Sequence, residues 1–307
     1  MWHPCRVTDP LAAVYGFDLA PELRDRLRGE PPAGVLRWVE SELGARVVGA
    51  RALDGGTSSA VHMLTLSGAP DSAVLRRYVL DWVAEEPWIP PNEARVLRAL
   101  GDAPGVPAPR LLAADPDGSV TGTPTTVMSA LPGRVVWEPT DPESWLRQLA
   151  EVLPLIHAVP VPPGLDAWAP YPPEPGDVPP AWSAYPGDWE LAVELWHGPV
   201  PDSDKVFVHR DYHPGNVLWT GDRLSGVIDW VSSCVGPPEE DVAHCRANLA
   251  IHHGVAVADR FLAIWQDITG RRDYHPYWDL TNVVSMVSDE ANPGLDQFVA
   301  SAAARLR

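Results

Sequence analysis

The stretch VHRDYHPGNVLWTGDRLSGVIDW, residues Val208–Trp230, decides how this chain is read. Short apolar runs alternate in it with turn residues, so it reads as brief strands joined by loops. Among those runs stand His209, Asp211, Asn216 and Asp229. Asn216 follows Asp211 by five positions, and Asp229 returns after the next turn. Phosphoryl transfer needs a carboxylate to orient and deprotonate a hydroxyl, and hard oxygen ligands for Mg²⁺ on the donor phosphates. An Asp, an Asn and a second Asp meet that need. Either residue type also caps turns, so no single member of the set carries the argument. The ordered set carries it.

The stretch also resembles the catalytic core of the aminoglycoside phosphotransferase family, the small-molecule branch of the protein-kinase-like fold. That family carries His-Gly-Asp-x-His-x-x-Asn followed by Ile-Asp-Trp or Ile-Asp-Phe. Here the run is His209-Arg210-Asp211-Tyr212-His213-Pro214-Gly215-Asn216, then Ile228-Asp229-Trp230. Arg210 replaces the usual Gly and gives the His-Arg-Asp wording of protein kinases. Asp229-Trp230-Val231 stands where protein kinases commonly have Asp-Phe-Gly, and the His213–Asn216 run belongs to the small-molecule branch. The resemblance implies an α+β fold, protein-kinase-like and two-lobed, with a small antiparallel-sheet lobe and a larger, mostly helical lobe. It implies Asp211 as catalytic base, Asn216 and Asp229 as Mg²⁺ ligands, and ATP or GTP as phosphoryl donor. His209 would brace the loop backbone, and Asp241 in EEDVAH matches a family Asp with a similar bracing role. A metal-dependent hydrolase is disfavoured, because His209 and His213 lack the intervening Glu of His-Glu-x-x-His.

Toward the N-terminus, PELRDRLRG and AGVLRWVESELG space apolar residues as helices do, each with a Gly to stop it. ARVVGARAL, SAVHMLTLS and SAVLRRYVL then read as three strands joined by two hairpin turns. PNEARVLRAL follows as a helix, with Asn92 a candidate cap and Glu93 in its first turn. APRLLAAD and PTTVMSAL supply two more strands. The nucleotide side is read from this half. Gly55, Gly56, Thr57, Ser58 and Ser59 form a Gly-rich turn able to approach phosphate oxygens, although an ordinary hairpin uses the same residues. Arg76 shares a strand face with Val74 and Tyr78, while Arg77 faces the other way. By the resemblance, Arg76 is the phosphate-binding cation and Glu93 its ion-pair partner; a solvated surface pair is the plainer alternative. Adenine is expected at the hinge near Met128, Ser129 and Leu131.

The expected lobes are residues 1–131, with a helical extension at 1–47, and residues 132–307. DPESWLRQLAEVLPLIHAV opens the second as a helix that Pro154 should kink or end early. A Pro-rich insert, 160–189, follows; ten of the chain's 35 prolines fall between Pro160 and Pro186, too dense for a helix or central strand. The insert and the later RRDYHPYWDLTNVV hold Trp168, Tyr171, Trp182, Tyr185, Trp189, Tyr274 and Trp278. Of these, Trp182, Tyr185, Trp189, Tyr274 and Trp278 are the candidate acceptor contacts, because aromatic rings offer flat surface with a polar edge. The alternative is that they pack the insert against its lobe.

Composition narrows the partners. Lys plus Arg number 23 against 41 Asp plus Glu, a formal charge of -18, so no nucleic-acid partner is expected. Three Cys without a CxxC pair argue against a disulfide scaffold or a Cys-built zinc site. No basic-then-apolar leader stands at the start, and no apolar run nears the ~20 residues that span a bilayer. The expected setting is therefore the cytoplasm, away from membranes, for a monomer or homodimer. The expected activity is transfer of a γ-phosphate to a small hydroxylated molecule, an antibiotic (aminoglycoside, macrolide or nucleoside-like). A metabolite kinase acting on sugar, choline or a homoserine-like substrate, and a non-catalytic nucleotide-binding pseudokinase, are the alternatives.

Overall fold

A computed structural model of the chain describes residues 21–53, 58–103, 105–170 and 178–307. Gly55, Gly56 and Thr57 of the Gly-rich turn, and Tyr171 of the insert, lie outside the described residues. The chain divides into two compact units: Met1–Pro132 with Gly226–Ser232, and Gly133–Ser225 with Ser233–Arg307. The sequence suggested one break and no return; here a short segment around Asp229 goes back to the first unit.

In the first unit, α1 (Pro21–Arg28) and α2 (Ala33–Leu43) precede the sheet, and α2 stops at Gly44, whose φ of 64° suits glycine. Strands β1 (Val47–Ala52), β2 (Ala60–Leu66), β3 (Ser72–Arg77), β4 (Leu111–Asp115) and β5 (Thr125–Ser129) form an antiparallel sheet in the order β1-β2-β3-β5-β4. Period-2 alternation turns Leu64, Leu66, Ala73 and Leu75 toward Val35 and Val39 of α2, and that layer is the unit's core. Helix α3 (Ile89–Gly101) joins β3 to β4 and begins earlier than the sequence suggested, since Pro90 and Pro91 occupy its opening turn, where their missing N–H groups cost nothing. Asn92 is therefore not the cap, and Glu93 lies past the first turn. The Asn92 amide instead donates to the Val231 carbonyl at 3.1 Å, and the Val227 N–H donates to Pro107 at 2.7 Å. Those two bonds hold the return segment on the unit.

In the second unit, β6 (Arg134–Val135) leads to α4 (Pro142–His157), which Asp141 caps by accepting from the Ser144 N–H. The helix runs through Pro154. That proline forfeits one backbone bond near the end, while the buried Leu146, Leu149, Leu153 and Ile156 hold the face in place. The insert lays Ala167 parallel to Val235, with the Trp168 backbone N–H donating to the Val235 carbonyl at 2.7 Å. Helix α5 (Pro186–His197) follows. Strand β7 (Val206–Val208) pairs with β10 (Cys234–Gly236), and β8 (Val217–Thr220) stands between β6 and β9 (Arg223–Val227). Helix α6 (Pro238–His253) buries residues on every side and is the unit's central element. Around it come α7 (Val255–Thr269), α8 (Tyr277–Val283) and α9 (Pro293–Ala304). Among the described residues no helix is long and apolar enough to cross a membrane.

Candidate active site

The loop from His209 to Asn216 links β7 to β8 and is held from below by buried groups. Asp241, fully buried in the first turn of α6, accepts from the His209 N–H at 3.0 Å and the Arg210 N–H at 2.6 Å. His157 of α4 meets the same carboxylate at 2.9 Å. Arg210 adopts φ 70°, the left-handed region where glycine is at home, and its side chain donates to the Ala169 carbonyl at 2.7 Å. The buried His209 ring accepts from the Asp211 N–H at 3.3 Å, and the buried Tyr212 hydroxyl donates to Leu149 at 2.8 Å. Gly215 permits a close approach: a Cβ there would lie 2.6 Å from His213 Cε1 and 3.3 Å from Trp137 Cζ2.

Asp211 and Asn216 meet at the mouth of this loop. The Asn216 amide donates to the Asp211 backbone carbonyl at 2.9 Å and to Asp211 Oδ2 at 3.1 Å. Both partners only accept, so the NH₂ end must face Asp211, and the Asn216 oxygen turns the other way. That orientation suits a hard cation ligand. Two imidazoles complete the Asp211 environment: His244 Nε2 lies 3.0 Å and His213 Nε2 3.7 Å from Asp211 Oδ1. Burial alone would raise the carboxyl's pKa. The His244 hydrogen bond and charge overcome that and hold it below the ordinary carboxylate range. Asp211, His213 and His244 place ligand atoms within 4.8 Å of one another, as a metal site would. The bonding pattern argues otherwise: His213 Nδ1 accepts from the Gly215 N–H at 3.1 Å, so the neutral ring carries its proton on the Nε2 that would have to ligate.

The first unit holds the expected phosphate-side residues. Arg76 on β3 puts Nη1 2.7 Å from Asp229 Oδ1 and Nε 3.3 Å from Glu93 Oε1. Tyr78 donates to the other Glu93 oxygen at 2.7 Å. Burial pulls the Arg76 pKa down, but the Asp229 and Glu93 carboxylates outweigh it, and the guanidinium stays firmly protonated. Among the described residues Arg77 has no such carboxylate partner, and burial lowers its pKa. Asp229 is the second non-glycine residue at positive φ, 68°. Ser59 is buried, and the Ser58 carbonyl accepts from Trp82 Nε1 at 3.2 Å. Met128 is buried on β5, Ser129 gives its N–H to the Arg110 carbonyl at 2.9 Å, and Leu131 is half-buried.

The expected acceptor residues divide by burial. Trp189 is 0% exposed and donates to Asp296 Oδ1 at 2.9 Å; Trp278 is 2% exposed and packs edge-on against Trp168. Both rings are core in this structure, without a free face to present. Tyr274 donates to Asp279 at 2.6 Å, and half-buried Trp182 donates to the Ser288 carbonyl at 2.9 Å. Tyr185 is 42% exposed. The sequence reading missed His244 and Asn282. His244 stands in the quoted EEDVAH run, three positions after Asp241, where helical spacing puts it on a neighbouring face.

A sheet unit with a buried Arg–Glu pair on its third strand and following helix, and a helical unit with a braced Asp-x₄-Asn loop, is the architecture of the protein-kinase-like class. Residues 49–277 match the phosphotransferase enzyme family, APH, and the chain belongs to that family. Among curated proteins it is similar to acyl-CoA dehydrogenase family member 10 of Mus musculus, 26% identical over 274 residues. That match takes in 79% of this chain and 25% of the mouse protein, so the chain spans about a quarter of its relative. Among solved structures it is similar to a thermostable mutant of aminoglycoside phosphotransferase APH(4)-Ia in complex with ADP and hygromycin B. The TM-score is 0.57 at 17% identity, covering 89% of this chain and 96% of the other. Macrolide 2'-phosphotransferase MphH of Brachybacterium faecium gives 0.53 at 17%, with 87% of each chain covered. At these identities the structures show a shared fold.

Proposed function

We propose that the protein is a nucleotide-dependent O-phosphotransferase that moves the γ-phosphate of ATP or GTP to a hydroxyl of a small molecule. The observation that carries this reading is the Asp211–Asn216 pair, whose bonding leaves a carboxylate for the hydroxyl and turns the Asn216 amide oxygen away from Asp211. Asp211 accepts the acceptor's hydroxyl proton or orients the hydroxyl for attack. Asn216 and Asp229 are the candidate Mg²⁺ ligands, with hard oxygens of the kind that ion takes. Mg²⁺, when bound, neutralises charge on the donor phosphates. Arg76, kept protonated by Asp229 and Glu93, is a cation for the same phosphates. Because the Ser129 N–H is committed to Arg110, the adenine donor at the hinge falls to a residue beyond it.

For the acceptor, the reading favours an antibiotic such as an aminoglycoside or a macrolide, since solved relatives bind hygromycin B, streptomycin and spectinomycin. A metabolite kinase is the second reading, supported by the similarity to a candidate fructosamine-3-kinase from Thermobifida fusca. Contact with the acceptor falls to Trp182 and Tyr185 of the insert, the two expected aromatics there that keep exposed surface. The test is a screen of hydroxylated compounds with γ-labelled ATP or GTP and Mg²⁺. A phosphorylated product is expected, and Asp211→Asn should lower kcat at least ~100-fold with nucleotide affinity kept. Nucleotide binding without turnover of any donor would mean a pseudokinase, and an unaltered kcat in folded Asp211→Asn would remove the base assignment.

A further inference from the structure

His244 has a position that its neighbours define completely. Glu240, one turn earlier on α6, accepts from the Asn282 amide of α8 at 3.1 Å. That bond fixes Asn282 with its oxygen toward His244 Nδ1, 3.2 Å away. The other ring nitrogen faces Asp211 Oδ1 at 3.0 Å. Both ring nitrogens therefore face acceptors, and only the doubly protonated ring can donate to both. Asp211 in turn receives His244 on Oδ1 and Asn216 on Oδ2. A Glu240–Asn282–His244–Asp211 chain thus runs from the buried side of α6 to the carboxylate.

Resting on the reading of Asp211 as the transfer carboxylate, we propose that His244 is its positioning residue, an imidazolium that fixes the orientation and the charge of the Asp211 side chain. The fold supplies the cation because α6 is anchored at both ends of its first turns: Asp241 ties it to the loop backbone, and His244 ties it to the loop side chain. A neutral His244 cannot donate on both sides, so losing the second proton breaks the chain at Asn282 or at Asp211. The charged and titratable groups facing His244 are Asp211 and His213 from the loop and Glu240 from its own helix; α8 presents the uncharged Asn282. Burial lowers the pKa of His244, and the Asp211 hydrogen bond with the Asp211 and Glu240 charges raises it further than burial lowers it. The sign follows. The clamp is intact below the raised pKa and is lost as pH rises through it.

The experiment uses the full chain with Mg·ATP and water as phosphoryl acceptor, alongside ¹⁵N-histidine NMR. His244→Gln keeps a donor but no charge, and His244→Leu keeps neither. Turnover should fall about 10- to 100-fold, the scale of a displaced positioning contact, more in Leu than in Gln, with the KM for ATP within about twofold. The wild type should show an alkaline fall of kcat, and that fall should vanish in His244→Gln. Asn282→Leu should lower kcat in the same direction and move that fall to lower pH. Independently of turnover, the NMR spectrum should show the signal absent from His244→Gln as a doubly protonated ring at neutral pH, and as a neutral ring in Asp211→Asn. A neutral His244 in the wild type overturns the proposal, as does a folded His244→Gln with wild-type kcat where Asp211→Asn has lost it. If Asp211→Asn itself keeps its turnover, the reading of Asp211 fails first, and the proposal falls with it.

Discussion

Asp229 and Arg210 both hold φ near 70°, a region that costs a side-chain-bearing residue roughly 1–2 kcal/mol. Such strain persists where the surroundings over-determine it. Arg210 has two backbone-linked restraints, Asp241 and Ala169, and Asp229 has the Arg76 ion pair. Arg210→Ala keeps the strain and loses the Ala169 bond, whereas Arg210→Gly loses both. Urea melts should therefore find the Gly variant more stable than the Ala variant by about 1 kcal/mol. Arg76→Met removes the cation from a buried Glu93 and a partly buried Asp229, and should cost about 3 kcal/mol in the same assay. Asp211 gives a pH prediction. Its folded pKa is depressed, so its contribution to stability is present above an unfolded value of about 3.9 and is lost as pH falls below it. A ¹³C carboxyl titration should show it still ionised at pH 4, and an ordinary midpoint there would contradict the clamp by His244.

At the scale of elements, α6 and α8 are joined by Arg246, fully buried, which meets Asp279 through Nε at 3.0 Å and Nη2 at 3.2 Å. Arg246→Met should destabilise the chain by about 3–5 kcal/mol, because Asp279 is left buried with Tyr274 and Arg305 as its remaining partners. Pro154→Ala in α4 should act the other way, restoring the bond to the Ala150 carbonyl and adding about 1–3 kcal/mol. The β1–β2–β3 meander could be read from the sequence because alternation and turn residues agree there. The start of α3 could not, since Pro90 and Pro91 look like breakers until their place in the first turn is known. Helix α8 is short, and its Trp278 suited a ligand surface as well as a core. The Asp211–Asn216 contact could be expected from the sequence because its spacing is local. The His244 clamp could not, because its partners lie 33 and 38 positions away.

For the whole molecule, the first unit is discontinuous in sequence. A fragment ending at Pro132 lacks the Asp229 partner of Arg76 and the Val231 partner of Asn92. It should melt at a lower temperature than the same fragment joined by a Gly-rich linker to residues 224–233, and equal melting would mean that the return segment adds nothing. The same discontinuity sets a schedule during synthesis. Gly226 leaves the ribosome 94 residues after Pro132, which at 5–20 residues per second is a wait of about 5–19 s. Throughout that interval the nascent sheet carries a guanidinium with one of its two carboxylates still untranslated.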